Sequence, residues 1–267
     1  MTTMTHRRYR AYELVELVRA PVEEVSTLSS EQRRQLTLRF RAVAGLEHRR
    51  LDAWSVERAG SSQSAFHWTP ATTRRILGSA ALRRVVSGGG ALLDAVNDEI
   101  AQYLARAATG HARDGSLARW LADAPVAVRA LATAESLNWA RTLDEVARSL
   151  GQPPTIAAAD VYYDVASART TLRARRDLVI DDAAGRVIVR VRNGSPGRHA
   201  GPGLRSDLTI DALGDVEGKA ARRFIGVWPD AGVVLAVEGT FDNLRAGAHD
   251  LVRTAVAQQR QRPLKAA

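Results

Sequence analysis

The spacing of hydrophobic residues along the chain changes near residue 150. Before that point, apolar positions recur every three or four residues in several stretches, which is the spacing of one helix face. Helix-start signals agree with this spacing: Ser29 can cap one helix, and Thr69 followed by Pro70 can begin another that runs to about Val86. Residues 1–124 are therefore predicted to form a helical N-terminal region.

A long amphipathic pattern begins at Pro125 and reaches Leu150, where Gly151 provides a helix end. The Gln152-Pro153-Pro154 segment that follows has the composition of a linker. We expect this helix to pack on strands, as the first element of a second domain that spans residues 125–260. Residues 261–267 are expected to form a disordered tail.

Beyond the linker, apolar and polar residues alternate with a period of two, as in half-buried strands. Helical patterns begin at Leu204 and, after the capping residue Thr240, near the C-terminus. The predicted fold class is therefore α/β (α+β). The strands are predicted at Asp160–Val165, Arg169–Ile180, Arg186–Arg192, Arg222–Trp228 and Val233–Val237.

The turn-rich segment 181–185 predicts a hairpin between two of these strands. If Asp181 pairs with Arg186 across this turn, Asp177 faces Arg190 and Arg175 faces Arg192. Side chains on a strand repeat every second residue, so these four would lie on one sheet face. We predict an ion pair between Asp177 and Arg190.

The charge of the chain favours an acidic partner. The formal net charge is +9, and 36 of the 38 basic residues are arginine, which binds phosphate and carboxylate in a bidentate manner. Splitting the chain at Leu150 gives 21 basic and 16 acidic residues, then 17 and 13, so the excess is spread over both parts. The absence of cysteine excludes disulfides and thiolate metal sites. No apolar run reaches the length of a membrane span, and a cytoplasmic location is expected.

Several segments of the second domain match the order of motifs in one nuclease superfamily. Arg176-Asp177-Leu178-Val179 matches its first aspartate motif, and residues 189–194 lie where its acidic-x-Lys element belongs. Asp207-Leu208 and Asp211-Ala212-Leu213 lie where its Gln-Leu and Tyr-Ala pairs belong. The chain thus resembles the PD-(D/E)XK nuclease superfamily, in particular its RecB-like branch. The resemblance implies a restriction-endonuclease-like αβββαβ core with a mixed sheet.

The resemblance also implies a metal site that this sequence has altered. Family members hold Mg²⁺ with the first aspartate and the acidic residue of the third strand, and use the lysine to orient water. This chain keeps Asp177 but has Arg190 and Arg192 at the other two positions. A guanidinium has no lone pair for a cation, so a degenerate active site is predicted. Asp177 and, on the preceding helix, Glu135 are the remaining catalytic candidates, with Asp177 as the metal candidate.

The sequence therefore predicts a catalytically inactive, DNA-binding protein with a RecB-like nuclease fold, acting in DNA repair, DNA processing or defence without a cofactor. One alternative is a divergent Mg²⁺-dependent DNA nuclease that uses Asp177 with Glu135, Asp207 or Asp211. Another is a non-enzymatic scaffold subunit of a helicase or repair complex. The predicted nucleic-acid contacts are Arg173, Arg175, Arg190, Arg192, Arg198 and Arg205.

Overall fold

The computed structural model describes residues 7–8, 11–22, 28–43, 49–57, 66–151, 154–165, 170–215 and 221–260. The chain divides into two compact units. Unit 1 combines Met1–Ser62 with Ser149–Ala267, and unit 2 is Gln63–Arg148. Helices occur together with mixed sheets, so the predicted α+β class is confirmed. The predicted tail at 261–267 lies outside the described residues.

Helices and strands are numbered here along the chain. The helices are α1 (Ala11–Arg19), α2 (Ser30–Arg39), α3 (Ala53–Glu57), α4 (Pro70–Gly88), α5 (Leu92–Ala108), α6 (Leu117–Asp123), α7 (Val126–Ser149), α8 (Ala200–Gly214) and α9 (Phe241–Arg260). The strands are β1 (Arg7–Arg8), β2 (Arg49–Asp52), β3 (Thr155–Ile156), β4 (Val161–Val165), β5 (Thr170–Ala174), β6 (Leu178–Asp182), β7 (Gly185–Val191), β8 (Arg223–Trp228) and β9 (Val233–Glu238).

Two predicted helix starts are confirmed by their capping contacts. The Ser29 hydroxyl accepts the backbone N–H of Gln32, and the Gln32 side chain accepts the N–H of Ser29. Thr69 makes the same reciprocal contacts with Thr72, and Pro70 is the first residue of α4. These bonds satisfy N–H groups that have no partner inside a helix.

Unit 2 consists of helices around a core of its own. Helix α7 packs closely on α4, because a Cβ at Gly78 would lie 2.4 Å from the carbonyl oxygen of Ser136. The Trp139 indole N–H donates to the Ser79 hydroxyl at 3.1 Å across the same contact. The buried residues of the core are Leu77, Ala81, Ala95, Val96, Ile100, Leu117 and Leu121.

The assignment of α7 corrects the predicted domain boundary. We expected a helical region of residues 1–124 and a second domain from residue 125, with α7 packed on strands. The structure instead groups α7 with the other helices of unit 2 and joins the N-terminal 62 residues to the strand-rich part of the chain. The physical reason is the close α4–α7 contact at Gly78, which no local pattern around residue 125 reveals.

Unit 1 contains two sheets. The larger has the strand order β1-β9-β8-β7-β6-β3, and the smaller has the order β2-β5-β4. In the larger sheet, β7 and β8 are parallel and are joined through α8, whereas its other neighbouring strands are antiparallel. This arrangement is a hairpin followed by a β-α-β crossover.

The predicted hairpin register is confirmed, but the strand before it is shorter than predicted. Asp181 pairs with Arg186 and Leu178 with Val189, which is the register derived from the turn. The predicted strand Arg169–Ile180 is in fact two strands, β5 and β6, that belong to different sheets. The break at 175–177 separates Arg175 from the hairpin, so the prediction that Arg175 faces Arg192 is wrong.

Helix α8 is buried along almost its whole length. It contacts β4 and β5 of the smaller sheet, β8 and β9 of the larger sheet, and the helices α3 and α9. At the α8–α9 contact, a Cβ on Gly247 would lie 2.3 Å from the carbonyl oxygen of Arg205, and the Thr209 hydroxyl donates to the carbonyl of Leu244 at 2.9 Å. Polar side chains on α8 therefore lie inside the protein.

None of the described helices combines the length and the apolarity that crossing a lipid bilayer requires.

Candidate functional site

Asp177 lies immediately before β6 and is buried. Its Oδ2 atom accepts the backbone N–H of Val191 at 2.9 Å, and its own N–H donates to the carbonyl of Val189 at 3.2 Å. The Asp177 carbonyl accepts the N–H of Ala157 at 2.9 Å. The aspartate that the resemblance marks as a metal ligand is thus held by hydrogen bonds to the neighbouring strand.

Arg190, on β7, is buried and forms its ion pair with Asp207 of α8. This pairing corrects the prediction that Arg190 pairs with Asp177. Burial tends to lower the pKa of Arg190, but the negative charges of Asp207, Glu57 and Asp177 outweigh burial and raise it. Arg190 therefore remains charged, with Asp177 as one of three carboxylates that stabilise it.

The pKa of Asp207 is also raised, but for a carboxyl group a raised pKa favours the neutral form. Complete burial raises the pKa of Asp207 to about 6, against the lowering effect of Arg190 and Arg192. The Oδ1 atom of Asp207 is buried and receives no hydrogen bond from the described residues. A proton taken up by this pair would therefore bind to the carboxylate, because Asp207 has lost hydration that hydrogen bonds do not fully replace.

Arg192, the residue that follows β7, forms two hydrogen bonds to the carboxylate of Glu57 on α3. Its guanidinium lies 5.3 Å from the centre of the Trp228 ring, a cation–π contact. The Glu57 side chain passes directly over α8, because a Cβ at Gly203 would lie 2.7 Å from the Cγ of Glu57. Arg192 therefore joins α3 to the larger sheet and is not directed at solvent.

A second ion-pair group lies one helical turn further along α8. Asp211 accepts a hydrogen bond from Arg176 at 2.5 Å, and burial raises the pKa of Asp211 to about 6. Beyond it, Arg186 donates to Asp215 at 2.6 Å and to Asp181 at 3.0 Å. The two buried carboxylates of α8, Asp207 and Asp211, are thus paired with an arginine of β7 and with Arg176 before β6.

The other predicted nucleic-acid contacts are divided between internal ion pairs and one exposed side chain. Arg173 donates to Asp160 at 2.8 Å, and Arg205 donates to Asp250 at 3.0 Å. Arg175 lies 3.8 Å from Asp52 on β2. Arg198 is exposed and donates from Nε to the Nε2 atom of His199 at 2.9 Å. Five of the six predicted arginines are therefore engaged with carboxylates of the same chain.

Glu135, the second catalytic candidate, lies on α7 in unit 2. Its carboxylate accepts a hydrogen bond from Arg74 on α4 at 3.3 Å. Asp177 belongs to unit 1, so the structure describes the two candidates in separate units.

The carboxylates around Asp177 do not fit a magnesium ion. Mg²⁺ needs several oxygen ligands in a near-octahedral arrangement. Among the described residues, no group of three or more His, Cys, Asp or Glu side chains has the arrangement of a metal site. The carboxylates of Asp207 and Glu57 instead hold Arg190 and Arg192, whose positive charges oppose a cation at the same place.

The partners of these arginines were mostly missed by the sequence reasoning. Glu57 lies 135 residues before Arg192, and Asp52 lies in the same N-terminal segment, so no local pattern connects either to the hairpin. The one available signal was the spacing of Asp207 and Asp211, which are four residues apart and therefore share a helix face.

Comparison with known proteins gives no match: no protein-family model fits the chain, and no curated protein or solved structure matches it. The relation to the RecB-like nucleases therefore stays a hypothesis that rests on the sequence motifs and on the order of the strands.

Proposed function

We propose that this protein is a non-catalytic, nucleic-acid-binding protein with a nuclease-like α/β unit, acting on DNA in repair, processing or defence in the cytoplasm. The observation that carries the proposal is the position of Arg190. The resemblance expects a metal-binding carboxylate there, and the guanidinium is instead buried and paired with Asp207. A protein-supplied cation thus takes the electrostatic role that a metal has in the nucleases.

The order of elements in unit 1 supports the resemblance on which the proposal depends. The hairpin β6–β7 is followed by α8 and by β8, which is parallel to β7, as the expected ββαβ part of the core requires. Asp177 immediately precedes the first of these strands and is buried beside the second. The position of α7 does not support the resemblance, because this helix was expected to be the first element of the core and instead belongs to unit 2.

The proposed contact with nucleic acid is made by exposed cations rather than by the ion-paired cluster. Arg190, Arg192, Arg173 and Arg205 already hold carboxylates, and releasing them would cost the energy of those pairs. Arg198 remains exposed in the loop before α8. The net charge of +9 supplies the long-range attraction to a polyanion.

The deciding experiment incubates the purified protein with labelled duplex and single-stranded DNA, with Mg²⁺ or Mn²⁺ and then with EDTA. We expect binding that weakens steeply as salt rises, because counterions are released when phosphates are neutralised, and no metal-stimulated cleavage. Arg198→Ala should weaken binding. Arg34→Ala removes the same charge from an exposed pair with Glu31 and is the matched control. Cleavage that requires Mg²⁺ and is lost in Asp177→Ala would favour the divergent nuclease instead.

A second candidate function is a non-enzymatic scaffold subunit. The pairing of five of the six predicted arginines with carboxylates of the same chain favours it, since such pairs leave little charge to attract DNA. The same binding experiment separates the two candidates: a scaffold should show no salt-dependent binding to duplex or single-stranded DNA.

A further inference from the structure

Two adjacent arginines at the beginning of β8 are almost completely buried. Arg222 and Arg223 are 2% and 3% exposed. Arg222 reaches Asp182 at 2.9 Å, and Arg223 reaches Glu238 at 3.1 Å. Burial and the neighbouring charge of Arg222 together lower the pKa of Arg223. Placing two like charges side by side inside a protein is costly unless strong acceptors surround them.

The remaining acceptors are backbone carbonyls at the C-terminal end of α1. Arg222 donates to the carbonyls of Val18 at 2.7 Å and Ala20 at 3.3 Å. Arg223 donates to the carbonyls of Leu17 and, at 3.2 Å, Ala20. The last carbonyls of a helix have no partner within the helix and carry its partial negative charge. The end of α1 therefore offers these guanidinium groups several oxygens and a negative potential.

A phosphate group offers the same chemistry. Guanidinium groups bind the oxygens of phosphate in bidentate fashion, and two adjacent arginines make a strong phosphate site. A full negative charge would bind them more strongly than the partial charge of a helix end. The occupant seen here is the end of α1, a helix of nine residues whose Leu14 and Val18 side chains are completely buried. An isolated helix shorter than about 12 residues is marginal in water, so its contacts must hold it.

We propose that Arg222 and Arg223 form a phosphate-binding site of the nucleic-acid surface, which the C-terminal end of α1 occupies as an internal substitute ligand. When α1 is displaced, each guanidinium keeps its carboxylate partner, Asp182 or Glu238, and its donors to the carbonyls become available to a phosphate. The inference rests on the proposed function and adds to it a second site and a means of regulating it.

The first test removes residues 1–22 and measures binding of a fluorescent DNA duplex at a series of salt concentrations. The comparison is with the same shortened chain carrying Arg222→Gln and Arg223→Gln, because shortening also removes Arg7, Arg8, Arg10 and Arg19. We expect the shortened chain with both arginines to bind more tightly at low salt, and its plot of log K against log salt to be steeper by about 1.8, which is the effect of two neutralised phosphates. Equal slopes for the two shortened chains would overturn the inference.

The second test keeps the full chain and follows hydrogen exchange in α1 with and without saturating duplex. Exchange of the α1 amides should become faster when DNA is bound, because the helix leaves its site. Unchanged or slower exchange of these amides would contradict the inference, even if the shortened chain fails to fold. The amides of α5 in unit 2 are the internal control.

The outcomes separate the inference from the function on which it rests. Suppose that the full chain binds DNA, but neither the salt dependence of the shortened chain nor hydrogen exchange in α1 changes as expected. Then the inference that α1 covers a phosphate site fails, and the proposed function stands. If only the shortened chain binds, the segment masks the main site. If neither chain binds, both proposals fail.

Discussion

Carboxylates from three elements surround the guanidinium of Arg190: Asp207 from α8, Glu57 from α3, and Asp177 from the segment before β6. Because the group is buried, its value to the protein lies in holding those charges together rather than in binding a ligand from solvent. In a protein with 36 arginines, net charge alone therefore says little about which arginines a polyanion can reach.

Arg190→Ala should reduce the free energy of unfolding by about 3–5 kcal/mol, because it leaves Asp207 buried without its cation. The measurement is urea unfolding at neutral pH, followed by circular dichroism. The matched variant Arg190→Met with Asp207→Leu removes both charges and should recover most of that loss. A loss below about 1 kcal/mol in the single variant would show that the pair is weak, as exposed pairs are.

The raised pKa values on α8 predict a dependence of stability on pH. Burial raises the pKa of Asp207 and Asp211 to about 6, above the ordinary value of 3.8. A group whose pKa is higher in the folded state favours folding when protonated, and this contribution is lost as pH rises through the folded value. The free energy of unfolding should therefore fall as pH rises from about 4 to about 6.5 and should level off above that.

Asp207→Asn with Asp211→Asn is the variant that tests this pH dependence, since amides do not titrate. Urea unfolding of the two proteins across this range should give a flatter profile for the variant. Glu31, whose pKa is lowered from 4.5 to about 2 by Arg34 and Gln35, loses its contribution as pH falls between these values, and does so equally in both proteins. Equal profiles for the two proteins would show that neither aspartate titrates in this range.

At the residue scale, the register of the hairpin could be predicted, whereas the ion pairs across it could not. The alternation of apolar residues on β6 and β7 and the turn between them are local, so they fixed Asp181 opposite Arg186. The choice of Asp207 as partner of Arg190 depends on how α8 lies across the sheet. That placement follows from tertiary packing, which local patterns do not contain.

At the scale of elements, the contact between α8 and α9 depends on glycine. Gly247→Ala should lower the free energy of unfolding by about 1–3 kcal/mol, because the new methyl group would meet the backbone at Arg205 and force the helices apart. This loss opposes the gain of about 1 kcal/mol that alanine gives inside a helix.

The control for this prediction is Gly88→Ala at the end of α4, where a Cβ would meet nothing within 4 Å. There, the helix preference of alanine should act without a clash and leave stability unchanged or slightly increased. Thermal unfolding of both variants checks the pair. A stabilising Gly247→Ala would mean that α8 and α9 can separate at little cost.

Most elements were predictable from the period of the hydrophobic pattern, and the exceptions have a physical cause. The predicted strand Arg169–Ile180 spans two strands, because its alternation continues in phase through the break at 175–177. Strand β2 was not predicted at all. It has four residues and, within the described part of the chain, pairs with β5 alone, so its strand conformation depends on a distant partner.

At the scale of the whole molecule, unit 2 is one continuous stretch inserted between the two parts of unit 1. A fragment of residues 63–148 should therefore fold alone and unfold cooperatively in urea, since it keeps the α4–α7 contact and its own core. A fragment of residues 1–124 loses α7 and most of unit 1, and should show little cooperative unfolding. The reverse result would restore the boundary predicted near residue 125.

The pairing of β2 with β5 has a consequence for the order in which the protein is made. Arg49 pairs with Thr170, so β2 must wait for about 120 further residues before its partner leaves the ribosome. Unit 2 can fold during that interval, while the apolar side chains of Leu36, Phe40 and Leu51 have no core to enter. Nascent chains of this length are therefore the stage most exposed to aggregation, and the stage at which a chaperone would bind.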